Sequence, residues 1–276
     1  MENQEILRQK YNPENSILRN HQMKMFDILN IVVEICNRNN IEYWLSCGTL
    51  LGAIRHNGFI PWDDDLDIEV LNRDYKKLLK CLEQELPSNL KLQTNSTDWD
   101  YPAVYAKVKD ENTKIFESNN IDSQYKYRGI YIDIFALTPM SKFSNTISTQ
   151  THRSIMYGLR AIFKRGKKNK IKSITMRSCM ILLLSFYNIL KLIDNLIPNK
   201  KLYYGYGAAY PENHCYNDIF PLKQHLFENK LFNIPNNTNK YLSDQFGNDY
   251  MNLPPEDMRR THTDKIILDI KSAPKN

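Results

Sequence analysis

The sequence predicts an α+β fold carrying a mostly helical basic insert, on three observations. Met25, Leu29, Val32, Val33 and Cys36 recur at the spacing of one helical face. Leu66, Ile68 and Val70 alternate with Asp65, Asp67 and Glu69 in the period of a strand, and residues 129–137 are so nearly apolar throughout that they read as a buried strand. Finally, no Asp or Glu lies between Asp133 and Asp194, whereas eleven Lys and Arg do, from Lys142 to Lys191; the rest of the chain carries a net −5. A mildly acidic body is joined to a strongly basic insert at about 140–200.

Taken in order, the first helix should start near Ser16, a good N-cap, and end near Asn39. Residues 41–46 are rich in β-branched and aromatic side chains and end at Gly48, as a strand would. A short helix fits 49–55, Asn57-Gly58 and Pro61 make a turn, and 66–70 is the second strand. A second helix shows Tyr75, Leu78, Leu79, Leu82 and Leu86 on one side and is stopped by Pro87. Residues 101–109 and 129–137 read as further strands. Within the helical insert, Ser178–Leu190 is uncharged for thirteen residues, about 20 Å of helix against a hydrocarbon thickness of about 30 Å, too short to span a bilayer. Residues 218–262 are mixed and broken by prolines. The expectation is one domain over 16–262 that includes the insert.

With 42% apolar and 25% charged residues among 276, disordered and fibrous classes are excluded. Five cysteines without a C-x-x-C pair write neither a zinc cage nor a disulfide framework, and read as small core residues in a reducing cytoplasm. The first residues have no basic, apolar leader, so a cytoplasmic location is expected.

The chemistry concentrates between Gly48 and Ile68. On a strand, Asp65 and Asp67 would share a face roughly 6.6 Å apart and repel by about 2.5 kcal/mol at an effective dielectric near 20. A divalent cation reverses that sign, and hard oxygen ligands suit Mg2+ or Mn2+. Asp133, between Ile132 and Ile134, would be costly unless it shared that cation. Gly48-Thr49 leads into a helix N-terminus suited to phosphate oxygens. The plainer reading, a solvated acidic turn, does not account for the alternation with Leu66 and Ile68. Arg55 and His56 either contact phosphate or cap a surface, and Lys107 is either solvated or functional. An EF-hand fails because Ile68 stands where glycine is needed, and Walker, dinucleotide-fingerprint and nucleophile-elbow motifs are absent from the sequence.

Gly48-Thr49-Leu50-Leu51-Gly52-Ala53-Ile54-Arg55-His56 followed by Ile60-Pro61-Trp62-Asp63-Asp64-Asp65-Leu66-Asp67 closely resembles the signature of the LicD family, which includes bacterial phosphocholine transferases and is related to fukutin and fukutin-related protein. The resemblance runs from about Leu18 to Leu137 and resumes between Phe220 and Pro255. It implies a nucleotidyltransferase-like fold, a small mixed β-sheet covered by helices. It further implies transfer of a phospho-alcohol group, phosphocholine foremost, from a CDP-activated donor (CDP-choline) to a hydroxyl of a cell-surface glycan or its lipid-linked precursor. Asp65, Asp67 and Asp133 would then be the metal ligands and catalytic carboxylates. Gly48, Thr49, Arg55, His56 and Lys107 would bind substrate. Trp44, Trp62, Trp99, Tyr101 and Tyr105 are available to cage a quaternary ammonium.

For the insert two readings stand: a core-packed helix pair, or a peripheral foot on an anionic membrane surface through residues 142–191. Rival functions are a polyol-phosphate transferase on the same fold and an RNA- or nucleotide-directed nucleotidyltransferase, with lysines near Tyr157 and Phe163 tracking a phosphate backbone. The family signature opposes the latter, so no nucleic-acid partner is expected. A DxD glycosyltransferase would need a longer nucleotide-binding half before its acidic motif, and a non-catalytic glycan binder has no use for the carboxylates.

Overall fold

The computed structural model describes residues 4–118, 121–162, 170–198, 200–210 and 212–270. Two helices open the chain, α1 (Gln4–Tyr11) and α2 (Ile17–Arg38). The second is the expected cover helix: Ser16 Oγ accepts from Arg19 N at its start, and Asn39 follows its last turn. The first was not read from the sequence, yet its Leu7 is fully buried in the main core.

Next come β1 (Tyr43–Leu45), α3 (Cys47–His56), β2 (Asp67–Leu71), α4 (Asn72–Glu85), β3 (Leu90–Gln93), β4 (Ala106–Asp110), β5 (Lys114–Glu117) and β6 (Tyr131–Met140). The order β1-β2-β6-β4-β3 forms the central sheet, with β2 and β6 parallel and the remaining pairs antiparallel. β7 (Lys201–Tyr203) continues it beside the far end of β6, and β8 (Asn213–His214) pairs with β7, which completes seven strands. The sheet is therefore mixed, as expected. Asp65 and Leu66 lie just before β2 rather than on it, and the expected strand over 101–109 begins only at Ala106.

The period of two sorts the side chains. Ile68 and Val70 of β2 and Ile132 and Ile134 of β6 face α2 and α4 in the main core. Their neighbours Asp67, Glu69 and Asp133 face the other way, where Trp44, Leu71, Phe135, Leu137 and Tyr204 form a second, smaller cluster at one end. The carboxylates thus lie on a sheet face only partly covered by apolar packing.

The insert is a helical hairpin, α5 (Lys142–Ile162) and α6 (Lys170–Asn195). Met156 and Leu159 of α5 pack on Met176, Met180, Leu183, Tyr187 and Leu190 of α6. The uncharged run from Ser178 to Leu190 sits inside a helix twice its length, because Arg177 and Lys191 do not interrupt the helix. Its stretch Ile174–Asn195 is, by length and composition alone, long and apolar enough to cross a membrane, which corrects the expectation of a run too short to span. Phe163 and Lys164, Arg165, Lys167 and Lys168 lie outside the described residues, as does the Tyr157 side chain.

The remaining elements are α7 (Tyr216–Ile219), the hairpin β9 (Lys223–Phe227) and β10 (Lys230–Ile234), α8 (Thr238–Phe246) and β11 (Thr263–Ile267). β11 pairs with β5 and draws the end of the described chain back across the sheet. No cysteine is in a disulfide; Cys36 is buried, but Cys215 is exposed and so is not a core residue.

Candidate active site

Register places the charges. Asp67 of β2 is the partner of Asp133 on β6, which is in turn the partner of Lys107 on β4. Three neighbouring central strands therefore present Asp67, Asp133 and Lys107 as one row on one face. Lys107 Nζ lies 2.8 Å from Asp133 Oδ1 and donates to Oδ2 at 3.1 Å, and it also stands 3.4 Å from the Tyr131 ring centroid.

The acidic segment before β2 is held from three sides. Gln22, fully buried on α2, donates its Nε2 to the carbonyls of Ile60 (3.3 Å) and Asp63 (2.9 Å). Thr49 Oγ1 accepts from Asp67 N at 2.8 Å. The buried Asp64 carboxylate accepts from the backbone N–H groups of His262 and Thr263 at 2.8–3.0 Å. That last bond carries His262 to the site, its Nε2 3.7 Å from Asp65 Oδ2. Ligand atoms from Asp63, Asp64, Asp65 and His262 all lie within 4.8 Å of one another.

The electrostatics are unbalanced. Burial, then the Asp64 charge, lift Asp65 to about 6. Burial followed by Asp133 and Asp65 lifts Asp67 well above the usual carboxylate range, and burial outweighs Lys107 at Asp133. Asp63 is raised well above that range too, by burial and its acidic neighbours. This is a convergence of hard oxygen donors with too little fixed positive charge, which is the donor chemistry that suits a hard divalent cation.

α3 points its N-terminus at the same place. Its N-cap Ser46 makes no side-chain capping bond, so the first-turn N–H groups are available to an anion. Cys47 adopts a φ of 48°, uncommon for a residue with a side chain. At Gly48 a Cβ would stand 2.8 Å from Asp63 Oδ2, so glycine permits the close approach of helix and acidic segment.

Two cavities share two of the carboxylates, Asp65 and Asp133. One of about 870 Å³ is lined by Cys47, Gly48, Asp63, Asp67, Arg55 and Arg260 among others. A second, of about 590 Å³, is lined by Tyr101, Tyr105, Lys107, Tyr125, Tyr131 and residues of α5. Asp65, Asp133, Tyr210 and His262 line both.

Of the residues singled out by sequence, Asp65, Asp67, Asp133 and Gly48 line the larger cavity, Lys107 pairs with Asp133 and Thr49 bonds the Asp67 backbone, but of the three expected metal ligands only Asp65 belongs to the group whose ligand atoms lie within 4.8 Å of one another. Arg55 lines the larger cavity and donates Nη1 to the carbonyls of Tyr250 (2.7 Å) and Asn252 (3.0 Å), which ties the 250–252 loop to its rim. His56 does not line either cavity. It is held between Arg55 Nε and Gln4 Oε1, and burial lowers it to about 3, so it stays neutral. Sequence reasoning missed His262, Tyr210 and the clamp Gln22; none stands in a local pattern that would mark it. Among the aromatic candidates, Trp44 is fully buried and donates to Glu69, Trp62 packs on Tyr11 and His56 and lines the larger cavity, and Trp99 carries the Arg177 guanidinium over its ring. Tyr101 and Tyr105 do line the smaller cavity, although Lys107 Nζ already lies 5.6 Å from the Tyr105 ring centroid.

Residues 40–164 match the family described as LicD/FKTN/FKRP, nucleotidyltransferase domain. Over 264 residues the chain is 28% identical to the lipopolysaccharide cholinephosphotransferase LicD of Haemophilus influenzae, covering 89% of this chain and 95% of that protein. A segment of 43 residues, 16% of this chain, is 44% identical to the ribitol 5-phosphate transferase FKRP of Homo sapiens, covering 9% of that protein. An uncharacterized protein of Rickettsia prowazekii is 44% identical over 62 residues, 22% of this chain and 23% of its own. The signature from Gly48 to Asp67 falls inside the matched region, as do Lys107 and Asp133, and residues 40–164 of the chain are thus similar to the nucleotidyltransferase domain of the LicD/FKTN/FKRP family.

Proposed function

We propose that the protein transfers a phospho-alcohol group, phosphocholine foremost, from a CDP-activated donor to a hydroxyl of a glycan, on a nucleotidyltransferase-like fold and with Mg2+ or Mn2+. The observation that carries this reading is that two cavities meet at Asp65 and Asp133. The arrangement suits a donor entering from the α3 side and an acceptor entering from the tyrosine-lined side.

Asp65, Asp67 and Asp133 would hold the metal, which when bound would offset charge on the donor's pyrophosphate and on departing CMP. The α3 N-terminus at Cys47 and Gly48 provides backbone N–H donors to phosphate oxygens, and Arg55 keeps the rim of that cavity in place. Asp133 is the better base than Asp67, because it lines both cavities while Asp67 lines only the larger. It takes the acceptor hydroxyl proton as the acceptor oxygen bonds to phosphorus and the bond from phosphorus to the CMP oxygen breaks, in line. Lys107, paired with Asp133, opposes the rise that burial imposes on that carboxylate and so favours the ionised form that accepts the proton.

Purified protein supplied with Mg2+, CDP-choline and a glycan extract should release CMP, and Asp65→Asn or Asp67→Asn should abolish release while circular dichroism stays unchanged. Near wild-type release by either variant would overturn the reading. The similarity to a ribitol 5-phosphate transferase supports a second donor, CDP-ribitol, run in the same assay; preference for it assigns a polyol phosphate instead.

A further inference from the structure

Helix α6 has two opposite faces with different fates. Met176, Met180, Leu183, Tyr187, Leu190 and Asp194 point into the hairpin and the body. Asp194 is held there by Ser144 Oγ and Tyr206 OH at 3.0 and 2.8 Å. On the opposite side Ile174, Ile181, Leu182, Ile189, Leu192 and Leu196 are all more than half exposed. At 100° per residue the five that lie in α6 fall within an arc of about 100°, and Leu196 follows one residue past the helix end. Between the two faces lies a polar flank with Arg177, Asn188, Lys191 and Asn195. The exposed Ser178 and Ser185 also fall inside this arc, with Ser185 Oγ donating back to the Ile181 carbonyl, yet a soluble surface rarely leaves so many large apolar side chains uncovered on one face.

The surroundings indicate what covers it. The sequence from 134 to 193 holds no acidic residue, and four basic residues stand in the connection between α5 and α6 (163–169). On the flank of the stripe, the Arg177 guanidinium stacks 3.7 Å over the half-exposed Trp99 ring. Such an aromatic and cationic pair suits the headgroup level, where one end meets hydrocarbon and the other water. Moreover, a pocket of about 230 Å³ opens where Ile181 and Leu184 leave the buried side of α6. It shares Tyr101, Pro102 and Met156 with the smaller carboxylate-lined cavity.

We infer that α6 lies flat in the interface of an anionic lipid bilayer, its Ile174–Leu196 stripe among the acyl chains and its basic flank among the headgroups, with the Trp99 pocket facing the leaflet. The helix does not span, because the face opposite the stripe is occupied by the α5 contact and by the Asp194 hydrogen bonds. This surface stands apart from the transferase chemistry, but it would bring the acceptor side of the site to lipid-linked glycans.

The test is co-sedimentation of the full chain with vesicles of phosphatidylglycerol, and separately of phosphatidylcholine, without donor or acceptor. The wild type should bind phosphatidylglycerol vesicles at least tenfold more tightly than phosphatidylcholine ones and lose most of that binding in 0.5 M salt. The double variant Leu182→Glu with Ile189→Glu should lose at least tenfold, while its thermal melt and its CMP release with a water-soluble acceptor stay as in wild type. Equal binding by the variant, or no wild-type binding, overturns the inference. Resistance of the membrane-bound protein to alkaline carbonate would show a spanning helix, and a lipid-free dimer abolished by the same substitutions would show a second copy on the stripe; either overturns it as well. Because no turnover is needed, failure here is separable from failure of the proposed reaction.

Discussion

Replacing Asp67 with Asn should move stability and turnover in opposite directions. Asp67 and Asp133 are register partners on adjacent strands, and adjacent strands lie about 4.8 Å apart. Two ionised carboxylates at about 5 Å repel by about 3 kcal/mol at an effective dielectric near 20. The penalty has a ceiling, since taking up a proton instead costs about 4 kcal/mol at pH 7 for a group with an ordinary value of 3.8. The direction agrees, for burial and Asp133 both push Asp67 up. Lys107 beside Asp133 and the partial exposure of Asp67 reduce the repulsion, which leaves a gain of about 1–2 kcal/mol for the amide. In EDTA at pH 7.5 the variant should therefore melt about 3–6 °C higher than wild type, with turnover at least a hundredfold lower. Added Mg2+ should raise the wild-type melting temperature and leave that of the variant nearly unchanged. A variant that melts below wild type in EDTA would refute the repulsion argument. A metal response equal to wild type would refute the assignment of Asp67 as a ligand.

Thr49→Val removes the acceptor for the Asp67 backbone N–H, so urea denaturation should show a loss of about 1–3 kcal/mol along with reduced turnover; unchanged stability would show that the bond is dispensable. Glu69 is fully buried, accepts from Trp44 Nε1 at 2.6 Å and Tyr241 OH at 2.5 Å, and is raised by burial from 4.5 to about 7. The folded state thus holds that proton more tightly than the unfolded chain does, and the stability present below pH 4.5 is lost as pH rises towards 7, about 3 kcal/mol in all. Glu69→Gln should flatten that part of the stability profile, measured as the difference between wild-type and variant unfolding from pH 4.5 to 8; parallel profiles would contradict it.

Much of the fold was legible where the signals are local. The bounds of α2 follow from Ser16, which caps its own helix, and from a stripe, Met25 to Cys36, that repeats for about three turns; α4 likewise ends before Pro87. The strands β3, β5, β7 and β11 were not legible, since each has three to five residues, too few to display a period. β11 owes its strand character to β5, nearly 150 positions away. α1 was missed because its eight residues bury one side chain, Leu7. Cys215 was misread because a cysteine carries no local mark of burial.

The sequence by itself determined the chemical vocabulary of the site. The run from Gly48 to Asp67 puts a helix start and several carboxylates within twenty residues, and Asp133 inside an apolar strand already demanded a partner. Tertiary structure alone decided which charges meet. Parallel pairing of β2 with β6 aligns Asp67 with Asp133, and antiparallel pairing of β4 with β6 adds Lys107 to the row. The return of β11 brings His262, and the turn of α6 leaves one apolar stripe outside. A hydrogen-bonded register between distant strands is set by the summed packing of the whole sheet, and no short stretch of sequence contains that sum.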